Sequence, residues 1–175
     1  MLVEKVKTAI RDIPDFPEPG IVFKDITPIL SKPDLVKEIV TEMQGKLEFL
    51  SVDAIACIES RGFWFGTLLA YQMGLPIVPI RKKGKLPYQT ISVDYDLEYG
   101  SASIEVHDDA IAKGDRILVH DDLLATGGTA AATPQLVSKS GGEIAGFSFL
   151  VDLTFLNGSE KLTSYSDEII SMIDY

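Results

Sequence analysis

The sequence predicts an α/β domain with a mostly parallel sheet flanked by helices, and three observations carry that expectation. Short apolar runs alternate with segments of helical spacing, the runs are too uniformly apolar to present a wet face, and charge gathers where the runs end. Strands apolar on both faces belong to parallel sheets covered on both sides.

Taken in order, Leu2, Val3, Val6, Ile10 and Ile13 recur at helical spacing, which predicts a helix over residues 2–13 that Pro14 stops. PDFPEPG then reads as a rigid, proline-punctuated connector. A second amphipathic helix is expected from about Pro33 to Leu47, with the proline in its first turn, where a missing N–H costs nothing. VDAIACI is a fully buried strand, FWFGTLLAYQM a helix closed by Gly74, and LPIVPI the returning strand of a βαβ unit. Within residues 86–107, TISVDYD and SASIEVH alternate with period two about LEYG and predict a hairpin. Strand RILVH, a helix from after Gly128 to about Lys139, and strand IAGFSFLV form a second βαβ unit, whose crossover is right-handed.

A length of 175 residues with 46% hydrophobic content suits one domain with a real core. The net charge of -10 and pI near 4.6 argue against non-specific nucleic-acid binding, which needs a basic face. No apolar run reaches bilayer length and MLVEKVKTAI lacks a signal-peptide core, so a cytoplasmic protein without a membrane partner is expected. The single cysteine, Cys57, suits a reducing compartment and reads as a small buried hydrophobe.

Ligands of open α/β sheets gather beyond the carboxyl ends of the strands. Those ends read Glu59-Ser60-Arg61-Gly62, Arg81-Lys82-Lys83, Asp121-Asp122 and Asp152-Leu153-Thr154. After the two aspartates, Ala125, Thr126, Gly127, Gly128 and Thr129 lead directly into a helix. Such a loop offers free amides, hydroxyls and the positive end of a helix dipole, a cradle for phosphate. It lacks the lysine of a P-loop and the three spaced glycines of a dinucleotide fingerprint. Ionised aspartates only accept hydrogen bonds and repel phosphate, so they call for hydroxyls or a cation. A sugar carrying a phosphate satisfies both halves. An ordinary turn with a capping residue is the plainer alternative.

HDDLLATGGT resembles the phosphoribosyl diphosphate (PRPP) signature of the type I phosphoribosyltransferases. FPEPGIVFKDITPIL (16–30), ESRGFWFG (59–66), IRKKGKLP (80–87) and LEYG (97–100) are similar to the adenine-specific branch of that family, from Phe16 to about Leu162. The resemblance implies a Rossmann-like domain over residues 1–175, with a small N-terminal hood (about 1–32) and a flexible catalytic hairpin lid (about 82–107). It implies transfer of phosphoribosyl from PRPP to adenine, yielding AMP and diphosphate in purine salvage. It also implies Mg²⁺ held mainly by substrate and water, with no dedicated protein ligand, and a homodimer.

On the same resemblance, Asp121 and Asp122 bind the ribose hydroxyls and Ala125 to Thr129 the 5-phosphate. Ser60 and Arg61 form the diphosphate loop, and Arg81, Lys82 and Lys85 face the leaving group. Glu98 is the acid/base group and Tyr99 seats the lid, although both residue types also suit a hairpin surface. Phe23 and Leu153 sandwich the adenine, with Val22 offering backbone hydrogen bonds and Lys24 beside it; core packing explains Phe23 and Leu153 equally well. Lys24 stands where the family usually has arginine, His120 where an apolar residue is common, and Asp152 where glutamate is usual; Tyr88 and Gln89 replace smaller lid residues. Rival readings are transfer to xanthine, hypoxanthine or orotate, a PRPP-sensing regulator, and a Mg²⁺-dependent sugar-phosphate enzyme sharing only the loop.

Overall fold

The computed structural model describes residues 1–96 and 100–175. Its elements follow the pattern of apolar runs. The N-terminal helix α1 (Leu2–Ala9) is shorter than its periodicity suggests: Ile10 turns extended, and Arg11–Pro14 forms strand β1. The correction has a tertiary cause. Strand β1 pairs antiparallel with β2 (Val22–Asp25), and the Lys24 ammonium lies 2.7 Å from Asp12 on the facing strand. Cross-strand partners outweigh the weak helical preference of the Arg-Asp-Ile segment. Pro14 at the strand's end lacks a donor and is tolerated there. The proline-rich connector therefore joins the two strands of a small separate sheet.

After a single turn, α2 (Thr27–Leu30), the amphipathic α3 (Pro33–Leu47) buries Leu35, Ile39, Val40, Met43 and Leu47. Strand β3 (Ala54–Ile58) is buried throughout, and helix α4 (Gly62–Met73) follows, capped by Gly74 in the left-handed region at φ 67°. Strand β4 (Ile77–Lys82) returns parallel to β3. The hairpin is β5 (Thr90–Asp96) and β6 (Ser101–His107), whose inner strand pairs antiparallel with the end of β4.

Strand β7 (Arg116–Leu124), helix α5 (Gly128–Ser140) and strand β8 (Glu143–Asp152) make the second unit. A last strand, β9 (Ile169–Asp174), adds parallel to β8 after two 3₁₀ turns, Thr154–Leu156 and Gly158–Lys161. The central sheet runs β5-β6-β4-β3-β7-β8-β9.

Two apolar clusters cover its faces. One joins α1, α3 and α4 to the sheet through Val6, Ile39, Leu69 and Leu150, and the other joins α5 and the hairpin through Val93, Ile104, Leu136 and Phe147. Helix α4 lies close on β3 and β7 because it carries glycine where it touches them. A Cβ on Gly66 would stand 2.4 Å from Cys57 Sγ, and one on Gly62 2.9 Å from Asp121 Oδ1. Burial pushes the Cys57 thiol up to about 12, with the Asp121 charge adding to it, which keeps the thiol neutral and inert.

Candidate active site

The carboxyl ends of β3, β4, β7 and β8 meet on one side of the sheet, as expected for a parallel α/β layer. Strand β7 runs further than its apolar run implies. Asp121 and Asp122 lie inside the ladder, because β8 continues alongside to pair Asp121 with Phe149 and Leu124 with Asp152. Strand pairing holds the aspartate backbones rigid, which a free turn would not.

Both aspartates reach the start of α4. Asp121 faces the start of α4, where Gly62 admits it, and its Oδ1 accepts the Asp122 amide at 2.8 Å. Asp122 is 3% exposed, and its Oδ2 lies 3.1 Å from Arg61 Nε. That oxygen and Arg61 Nη1 are both buried without a hydrogen-bond partner. Buried charged atoms with incomplete hydrogen bonding are costly in a folded chain, and Arg61 and Asp122 both line a cavity of about 430 Å³. Burial raises the pKa of Asp121, and the neighbouring Asp122 charge raises it further. Burial also raises Asp122, against the opposing pull of the Arg61 guanidinium. A pair under this strain gains from any ligand that supplies hydroxyl donors or a cation.

Glu59, Ser60, Arg61 and Lys82 line the same cavity, with Leu123 and Ala125. Ser60 is exposed and follows a cis Glu59–Ser60 peptide, and Arg61 occupies the N-cap position of α4. Glu59 was not singled out by sequence reasoning as a site residue, yet it organises the basic run. Its carboxylate accepts the Lys82 amide at 2.9 Å and Arg81 Nε at 3.1 Å, and pairs with the Lys85 ammonium. Burial works to raise its pKa, but Lys85, the Lys82 amide and Arg81 outweigh that and hold the carboxyl below the usual range. Thus Arg81 and Lys85 engage Glu59, while Lys82 borders the cavity. The signal for Glu59 was its position beside Ser60-Arg61 at a strand end. Its partners, 22 to 26 residues away, are invisible to local pattern.

The segment after β7 closes a second, smaller cavity of about 120 Å³, lined by Asp121 and residues 123–130. Helix α5 starts there without a side-chain cap, so the amides of its first turn are left for another acceptor. Gly127 has φ +75°, a conformation glycine adopts freely, and a Cβ on it would stand 2.6 Å from the Gly158 carbonyl oxygen. From the other side, a Cβ on Gly158 would lie 2.1 Å from the Ala125 carbonyl oxygen. The turn at Gly158, which sequence reasoning did not single out, therefore backs the loop at the closest distance two backbones allow.

The small sheet leans over this region. The Arg61 guanidinium carbon is 4.8 Å from the Phe23 ring centroid, and Phe16 meets Phe23 edge-on at 5.2 Å. Val22 is exposed, whereas Leu153 is 8% exposed and belongs to the core cluster beneath. Lys24 pairs with Asp12 and lies 4.0 Å above the ring of Tyr175. Tyr175 is itself tied to the end of β8: its amide donates to the Asp152 carbonyl at 2.9 Å, and its carbonyl accepts the Thr154 hydroxyl at 2.7 Å. The structure thus joins Phe23 to Arg61, and Lys24 to the Asp152–Thr154 segment through Tyr175. Burial raises the pKa of Asp152, with the Asp174 charge reinforcing it. Glu98 and Tyr99 lie outside the described residues.

Two opposed features now adjoin in neighbouring cavities that share Asp121, Leu123 and Ala125: carboxylates that suit donors, and arginine, lysine and uncapped amides that suit an anion. The family model of the phosphoribosyl transferase domain matches residues 27–169. The adenine phosphoribosyltransferase of Cytophaga hutchinsonii is 54% identical over 175 residues, covering 100% of this chain and 97% of that one. That of Acetivibrio thermocellus is 54% identical over 166 residues, 94% and 97% of the two chains. The crystal structure of adenine phosphoribosyltransferase from Thermoanaerobacter pseudethanolicus superposes with a TM-score of 0.95 at 48% identity, over 99% of both chains. The Saccharomyces cerevisiae enzyme, complexed with an imino-altritol bisphosphate and adenine, does so at 0.90 and 34% identity, over 98% of both. Sheet order, the uncapped loop after β7 and these likenesses along the whole chain agree, and the chain belongs to the phosphoribosyltransferase family.

Proposed function

We infer that this chain is an adenine phosphoribosyltransferase, forming AMP and diphosphate from adenine and PRPP in purine salvage. The observation that carries the reading is the contiguity of a carboxylate pair, one member half-buried and the other buried, and an uncapped amide loop in one turn of chain.

In the reaction, a bond forms from the purine N9 to the anomeric carbon, the bond from that carbon to the diphosphate oxygen breaks, and N9 loses its proton. The sugar becomes cationic as the diphosphate leaves with negative charge. Asp121 and Asp122 hold the ribose hydroxyls on the cationic side, and the amides and hydroxyls of Ala125 to Thr129 hold the 5-phosphate. Ser60, Arg61 and Lys82 meet the diphosphate, and Arg81 and Lys85 support that side from their places on Glu59. Groups fixed before the reaction stabilise developing charge without reorganising. Phe23 and Leu153 take the faces of the adenine, Val22 its hydrogen-bonding edge, and Lys24 fixes the small sheet that carries Val22 and Phe23. Taking up the base requires Arg61 to leave the face of Phe23, which the arriving diphosphate favours.

Residues of about 1–32 act as a hood over the base and about 82–107 as a lid that excludes water. Glu98 is the acid/base group and Tyr99 seats the lid. Among the described residues no group of three or more His, Cys, Asp or Glu could hold a metal alone. Asp122, whose Oδ2 has the Arg61 guanidinium beside it but no hydrogen bond, and its neighbour Asp121 would nevertheless suit Mg²⁺ that is bound chiefly by substrate oxygens and water. When bound, Mg²⁺ neutralises diphosphate charge.

No described helix is long and apolar enough to cross a membrane, and the charge of -10 fits a cytoplasmic enzyme acting on small molecules rather than nucleic acid. Tyr71, 86% exposed, and Leu68 on α4, with Phe49 after α3, offer apolar surface for a homodimer. Diphosphate release from PRPP tests the activity. Release is expected only with adenine and Mg²⁺ together, and is lost in Asp122→Asn. Release with hypoxanthine or xanthine but not adenine overturns the choice of base, and none with any base overturns the activity.

A further inference from the structure

Strand β5 is the outer strand of the hairpin and an edge of the central sheet, yet it is fastened to helix α5 at two points. The Lys139 ammonium donates to the Ser92 carbonyl at 3.2 Å near the end of the helix. At its start, the Tyr95 hydroxyl lies 3.0 Å from Thr129 Oγ1. The Tyr95 ring packs on the apolar cluster beneath the hairpin, and its Cε2 would stand 4.0 Å from a Cβ on Gly128. Packing alone would be served by phenylalanine; the phenol oxygen has a separate partner, and that partner belongs to the phosphate loop.

We propose that Tyr95 is a positioning residue that couples occupancy of the 5-phosphate loop to the seating of the hairpin lid, by donating a hydrogen bond to the Thr129 hydroxyl. The proposal rests on the reading of residues 125–129 as the phosphate cradle. A hydroxyl has one hydrogen and two lone pairs. With the loop empty, either oxygen can donate to the other. A phosphate oxygen beside Thr129 claims the threonine hydrogen, so Tyr95 must then donate, giving a chain from phenol to threonine to phosphate. Each bond in such a chain polarises the next. Because coupling is reciprocal, a bound phosphate holds β5 down just ahead of the hairpin turn, and a seated β5 improves phosphate binding. The lid is then drawn to the sugar-phosphate end of the substrate, independently of the base.

The test compares Tyr95→Phe with the wild-type protein. Loss of one hydrogen bond to a neutral group is expected to raise the PRPP KM about fivefold, and to leave the adenine KM at saturating PRPP within about twofold. Introduced into Thr129→Ala, Tyr95→Phe adds nothing further, whereas in Thr129→Ser it has its full effect. An unchanged PRPP KM, or the same increment in the Thr129→Ala background, overturns the coupling. A second measurement needs no variant and no base: ribose 5-phosphate should slow amide hydrogen exchange across residues 90–96 of the wild-type chain. Exchange there unaffected by saturating ribose 5-phosphate also overturns the proposal. Failure to release diphosphate with adenine, while ribose 5-phosphate still protects residues 90–96, would instead count against the assigned activity.

Discussion

Burial and the charge of Asp122 raise the pKa of Asp121, so its ionised form is a cost that the folded chain carries. The penalty is absent below the ordinary carboxyl value near 4, grows as pH rises and is complete above the raised folded value. Asp121→Asn keeps an oxygen for the Asp122 amide and should raise the melting temperature at pH 7 by ~2–4 °C, with no gain at pH 3, while abolishing transfer. Thermal melts at the two pH values, beside an activity assay, check it. His120 runs the other way. It is fully buried, its Nδ1 is 3.4 Å from Ser148 Oγ and its Nε2 has no partner, and burial lowers its pKa to about 4 despite a hydrogen bond at Ser148. Because the folded value lies below the unfolded one near 6.5, stability is whole above pH 6.5 and is lost as pH falls toward 4. His120→Val is therefore expected to lose less stability than wild type between pH 7 and pH 5, as denaturant midpoints would record. At this scale, sequence exposed what is contiguous: the aspartates and their loop are neighbours in the chain. It did not expose the pairing of Glu59 with Lys85 or of Lys24 with Tyr175, which only folding creates.

Among the elements, those with strong periodicity and clear caps were legible. Helix α3 spans Pro33–Leu47 as its pattern indicates, and α4 ends at Gly74. Strand β1 was not, because its four residues take their conformation from β2 rather than from their own preference. The Gly158 turn lies in a stretch where small polar residues dominate, and strand β9, the short run IISMID, follows with no turn or period signal to set it apart. That turn nonetheless shapes the site. Gly158→Ala forces a methyl into the Ala125 carbonyl, and relieving overlaps of this kind typically costs ~1–3 kcal/mol. The expected outcome is a higher PRPP KM with the adenine KM little changed. Steady-state kinetics separate the two, and an equal rise in both would mean that the turn does not act through the phosphate loop.

For the whole molecule, the sheet order decides where four separate strand ends meet. Strands β3, β4, β7 and β8 are scattered between residues 54 and 152, and parallel pairing brings their charged termini to one side. Sequence showed that each end was charged; the mutual neutralisation of Glu59 and its cations, and the unspent atoms of Arg61 and Asp122, required the fold. An overall charge of -10 sets the limits of the site, since an anionic substrate must be held by local cations and amides against a repelling background. Binding is accordingly expected to depend on residues of these two adjoining cavities. A crystal structure of the chain with AMP tests that most directly: the 5-phosphate should lie on the amides of residues 125–129, with the ribose hydroxyls on Asp121 and Asp122. A nucleotide bound elsewhere, with those amides turned away from it, would contradict the account.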